Sequence, residues 1–196
     1  MAPAFSGFFH RWFPKAKGVT VAGFLNIFGI LCAIALTASL VMGYMAHLGI
    51  VSISTHVVIG VVTPLAAILG LSILMFYFIA TGSAVKDVAK RGLVNRDSYY
   101  ETRSFKKQLF PLIIAAIALL MATPVLGAAF DARKAPLIIH SLSGWAALAV
   151  YWFTAIRGMD YLKRNMEILN EASVASDKPE AEAGVTKGVE SEGSKS

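Results

Sequence analysis

Charge is what this sequence has least of. Only 15% of its 196 residues are Asp, Glu, Lys or Arg, against about 25% in an ordinary soluble domain, and long stretches carry none. Cysteine is almost missing too. The single Cys32 excludes an intrachain disulfide and leaves the redox compartment unread. No Cys-x-x-Cys-His occurs, which excludes covalent c-type haem by the usual route. Glycine-rich nucleotide-binding motifs are lacking. So is the alternation of apolar and polar residues that a membrane β-barrel needs.

What is present is apolar. Hydrophobic residues make up 56% of the chain and the mean hydropathy is +0.63. Four runs, at about 19–48, 53–85, 109–130 and 137–157, reach the roughly 20 residues that span a bilayer as a helix. The expected fold is all-α, an integral membrane four-helix bundle, with a transmembrane domain at 19–166.

The net charge of +6 and pI near 9.5 would point to nucleic acid if the basic residues formed one soluble patch. They instead flank the apolar runs, at 10–17, 86–107 and 157–164. This positive-inside pattern places both termini and the middle loop in the cytoplasm and the loops at 49–52 and 131–136 outside. Arg133 and Lys134 dissent, but the middle loop carries seven Lys/Arg and outweighs them. The membrane expected is a bacterial inner membrane, with lipid as the first partner and no nucleic acid.

The flanks read differently. Residues 1–18 mix Phe8, Phe9, Trp12 and Phe13 with His10, Arg11, Lys15 and Lys17, a cytoplasmic interfacial segment, and the first span reads as a retained signal anchor. Within the second span Pro64 is expected to bend the helix, and Gly92 to stop it. Ser98-Tyr99-Tyr100-Glu101 has capping-box spacing, so the third helix is expected to begin well before its apolar run. Residues 167–196 lack aromatics and apolar periodicity and are expected to form a disordered cytoplasmic tail.

The chain repeats itself. GYMAHLGIVSISTHVVIG, 43–60, is answered 84 residues later by GAAFDARKAPLIIHSLSG, 127–144, with Gly43 on Gly127, His56 on His140 and Gly60 on Gly144. In each copy an apolar segment ends, a short loop follows, and a second apolar segment opens with His-x-x-x-Gly. Two helix pairs in sequence give a parallel repeat, which puts His56 and His140 at equal depth near the external face. Repeats in membrane proteins often place the site between their halves.

A histidine inside a bilayer is costly and is a functional candidate. Imidazole is a good ligand for haem iron and other transition metals. Two histidines are too few for structural zinc, which takes four ligands. A haem needs only two axial ligands, and Gly60 and Gly144, lacking side chains, leave room for a flat macrocycle. His47 and its counterpart Asp131 lie closer to the aqueous face. Tyr151, three turns beyond His140, can face the same side, and Arg157 fits a snorkelling role.

With these residues the chain resembles b-type cytochromes that have four-helix membrane cores, such as the cytochrome b561-like families and the membrane anchors of succinate dehydrogenase. The resemblance covers the four spans and rests on His56-x-x-x-Gly60 and His140-x-x-x-Gly144. It implies one non-covalent haem b held by His56 and His140. It also implies electron transfer, within a larger membrane complex, between an external donor and a quinone or partner protein, rather than a complete enzyme. Two other functions stay open: a non-catalytic membrane subunit whose histidines are interhelical glue, and a transporter or proton path, which four spans without acidic residues fit least well.

Overall fold

In the computed structural model, residues 15–92 and 95–192 are described, those at 15–20, 96, 172 and 175–192 as backbone alone. They form four helices: α1, Lys15–His47; α2, Ile53–Lys90; α3, Arg96–Asp131; and α4, Leu137–Glu192. Every one is long and apolar enough to cross a membrane. Most of the interfacial segment expected at 1–18, including His10, lies outside the described residues.

The helices pack as a ring. α1 lies against α2 and α4, and α3 against the same two. Of the two diagonals, α2 and α4 meet while α1 and α3 scarcely do. The core holds Ala33, Ala67, Phe78, Leu109, Ile113 and Tyr151, all essentially buried. Small residues set the approach: a Cβ on Gly70 of α2 would stand 2.7 Å from the Phe28 ring of α1, so only glycine admits that ring.

The α1–α4 seam is fastened by hydrogen bonds from aromatic donors. Trp145 Nε1 donates to the Tyr44 hydroxyl at 2.8 Å, Trp152 Nε1 to Thr37 Oγ1 at 3.3 Å, and the Tyr151 hydroxyl to the Gly29 carbonyl at 3.3 Å. At the other end of the bundle Arg164 of α4 makes a two-pronged ion pair with Glu101 of α3, at 2.7 and 3.1 Å. Arg157 stays within its own helix, its guanidinium 5.4 Å from the centre of the Phe153 ring.

The two short loops are built alike. α1 stops at His47, and Gly49 takes φ +74°. The Gly49 N–H then donates to Ala46 and the Ile50 N–H to Met45, at 3.0 and 2.9 Å. α3 stops at Asp131 and Arg133 takes φ +57°. Here the Arg133 N–H donates to Phe130 and the Lys134 N–H to Ala129, both at 2.8 Å. Both endings are Schellman motifs, in which two N–H groups past the helix satisfy its last carbonyls. Each motif is followed by a helix starting four residues after the left-handed residue, at Ile53 and Leu137. The two loops thus lie 84 residues apart at every landmark.

At the polar ends α2 stops as expected, and α3 and α4 differ from expectation. α3 starts at Arg96, capped by the Asn95 side chain, which accepts from the Asp97 N–H at 3.2 Å, so the cap is three residues before Ser98. α2 ends at Lys90, with Gly92 at φ +74° just past the cap. The tail expected to be disordered from 167 is helical to Glu192. Ile168 is fully buried, so core packing carries α4 past that boundary.

Candidate functional site

Between the loop-proximal halves of the helices lies a cavity of about 340 Å³, lined from all four. Its volume falls in the range of about 300–1,000 Å³ common to ligand and cofactor sites, toward the lower end. The wall is mainly aliphatic, with Leu36, Leu40, Val57, Val61, Leu120 and Leu148. Pro64 and Pro124 both line it, each removing one N–H from its helix.

The four residues singled out in the sequence meet here: His56, Gly60, His140 and Gly144 all line this one cavity. Each histidine stands in the first turn of its helix, at the same distance from its start. Both rings are partly buried. His47 and Asp131, exposed at the ends of α1 and α3, also contribute to the lining. Tyr151 does not: it is buried elsewhere, against α1.

Gly60 and Gly144 line the cavity, and a second pair of glycines stands against the rings. A Cβ on Gly60 would lie 3.8 Å from His56 Cε1, an ordinary contact. A Cβ on Gly144 would lie 3.1 Å from Leu40, so that glycine serves helix packing. The glycines against the imidazoles are Gly43 and Gly127. Their Cβ positions lie 2.9 Å from Cε1 of His56 and 3.0 Å from Cε1 of His140. Each ring is therefore seated on a glycine of the preceding helix, thirteen residues back. That spacing is visible in the repeat, because Gly43 and Gly127 open its two copies.

Hydrogen bonding separates the two rings. His140 Nδ1 lies 3.1 Å from the Thr123 carbonyl oxygen. A carbonyl only accepts, so Nδ1 carries the proton and the lone pair is on Nε2. His56 Nδ1 is buried with no partner. In neither ring is Nε2 hydrogen-bonded or fully buried, so it is the nitrogen left open to a ligand. Among the described residues no three His, Cys, Asp or Glu side chains gather to hold a metal ion by themselves.

Chemically, the site offers two imidazole nitrogens in an apolar chamber with a more polar rim. Such a site suits a cofactor that brings its own equatorial ligands and takes only axial ones from the protein. Thr123 escaped the sequence reading because its contribution is a backbone oxygen. Its signal is positional, seventeen residues before His140 as Ser39 is before His56. Comparison of the chain with protein-family models, with curated proteins and with solved structures finds no match.

Proposed function

We propose that this chain is an integral membrane protein of two parallel two-helix repeats that holds one non-covalent haem b between His56 and His140 and carries electrons. The observation behind this reading is that the two histidines, at matching positions in α2 and α4, line one apolar cavity with Nε2 open. The donor set fits the group: His140 is oriented with its lone pair on Nε2, and His56 supplies a second imidazole. A bound haem would supply one-electron redox chemistry. The protein's part is to seat the two rings, keep polar competitors few and exclude water with aliphatic walls.

Membrane residence is supported by what the helices expose. Phe24, Ile27, Leu65, Phe76, Ile114 and Val125 are each more than half exposed, a surface that suits lipid and not water. The basic residues at 86–107 and 157–164 lie at the end away from the cavity, which favours cytoplasmic termini and an external haem. An electron partner there, with a quinone or a further subunit of the complex as the other, follows from the same reading.

A second reading has its own support. Each imidazole already packs on a neighbouring helix, and His140 bonds to α3, as expected of interhelical glue in a non-catalytic membrane subunit. A reduced-minus-oxidised visible spectrum of the detergent-purified protein, with a haem assay, decides between them. Sharp reduced bands and about one haem per chain are expected. A colourless protein from haem-replete cells would leave the packing subunit.

A further inference from the structure

The two halves of the site match in their glycines and differ in one bond. The His140 imidazole donates from Nδ1 to the Thr123 carbonyl at 3.1 Å. Eighty-four residues earlier the equivalent acceptor would be the Ser39 carbonyl, and His56 makes no bond to it. Its Nδ1 is buried without any partner. The sequence differs at the same place, Ser39-Leu40 standing where the second half has Thr123-Pro124. A metal-bound histidine is ordinarily held by the N–H it donates to a carbonyl or carboxylate, and loss of that support costs about 10–100-fold in metal affinity.

We infer that the two histidines hold the haem unequally, with His140 as the anchoring ligand and His56 as the exchangeable one, so that the site admits a small diatomic ligand such as carbon monoxide in place of the His56 imidazole. The inference rests on the haem reading above. His140 is fixed in one tautomer and one orientation by a bond that swinging away would break. His56 has no such bond to break: its seat against Gly43 is steric alone, and its proton is free to sit on either nitrogen.

The test compares His56→Ala with His140→Ala in the full-length chain, purified from haem-replete cells, by haem content and by the visible spectrum of the reduced protein with and without carbon monoxide. His56→Ala is expected to keep most of its haem in a high-spin form that takes up carbon monoxide. His140→Ala is expected to bind haem about 10–100-fold more weakly than His56→Ala. Equal losses, the reverse order, or a His56→Ala haem that ignores carbon monoxide would overturn the inference. Where an alanine variant loses its helical circular dichroism, His56→Leu and His140→Leu keep the side-chain volume without offering iron a ligand and must give the same ranking. Wild-type protein without haem would remove the underlying reading, whereas one haem per wild-type chain with two equivalent variants would remove this inference alone.

Discussion

His140 rests on Gly127: a Cβ at that glycine would stand 3.0 Å from the ring's Cε1. The same relationship, slightly tighter, joins His56 to Gly43. Both glycines are helical, where alanine would ordinarily stabilise by about 1 kcal/mol. Here the methyl group must displace an imidazole, at an overpacking cost of about 1–3 kcal/mol. Gly43→Ala and Gly127→Ala are therefore expected to lower the thermal midpoint in detergent or leave it unchanged. Gly23→Ala, with nothing within 4 Å of the new methyl, should raise it. A rise of all three midpoints by the same amount would show that the rings yield freely.

The left-handed residue of each Schellman loop gives a paired prediction. Arg133 holds φ +57° with a side chain where Gly49 holds φ +74° without one, and a left-handed residue with a Cβ costs about 1–2 kcal/mol. Glycine gives back part of that gain through its greater freedom in the unfolded chain. Arg133→Gly should be stabilising by up to about 1 kcal/mol, and Gly49→Arg destabilising by a similar amount. Denaturation of the two variants beside wild type reads the sign directly.

Tyr77 and Asn165 form a polar pocket in the core, away from the cavity. The Tyr77 hydroxyl and both polar atoms of Asn165 are buried. They lie near enough to interact, but no hydrogen bond of good geometry joins them. Removing an unsatisfied group while keeping its shape is close to neutral or stabilising. Tyr77→Phe should change stability by no more than about 0.5 kcal/mol for the worse. A loss above about 1.5 kcal/mol would reveal a hydrogen bond of ordinary strength or a bound water.

Orientation is open to a clean labelling experiment, because Cys32 is the sole native cysteine and is buried. Ile50→Cys, in the first loop, should react with a membrane-impermeant maleimide on intact cells. Arg91→Cys, at the far end of α2, should react only after lysis. The opposite pattern would invert the proposed topology and move the cavity to the cytoplasmic face.

Sequence legibility was greatest at the two short loops and faded with distance from them. The ends of α1 and α3 and the starts of α2 and α4 fall where the apolar runs break, because a Schellman ending and a short turn leave no room for slippage. At the basic end the apolar run measures the thickness of a bilayer core and not the length of a helix. Hence α3 begins at Arg96, well before its apolar run as its polar capping residues implied, and α4 continues past 157. The cap read at Ser98 falls at Asn95, a residue type that caps equally well. In the site, the pairing of His56 with His140 in one cavity was readable from the repeat. The seats on Gly43 and Gly127, the filling of the Gly144 space by Leu40, and the Thr123 carbonyl depend on how neighbouring helices face each other. No single-helix pattern carries that information.

The arrangement has a mechanical consequence. Each histidine is seated within its own hairpin, His56 on α1 and His140 on α3, while the cavity lies between the hairpins. α2 and α4 share the short diagonal of the ring. Both seats are therefore set within the hairpins, and packing between the hairpins sets the gap across the chamber.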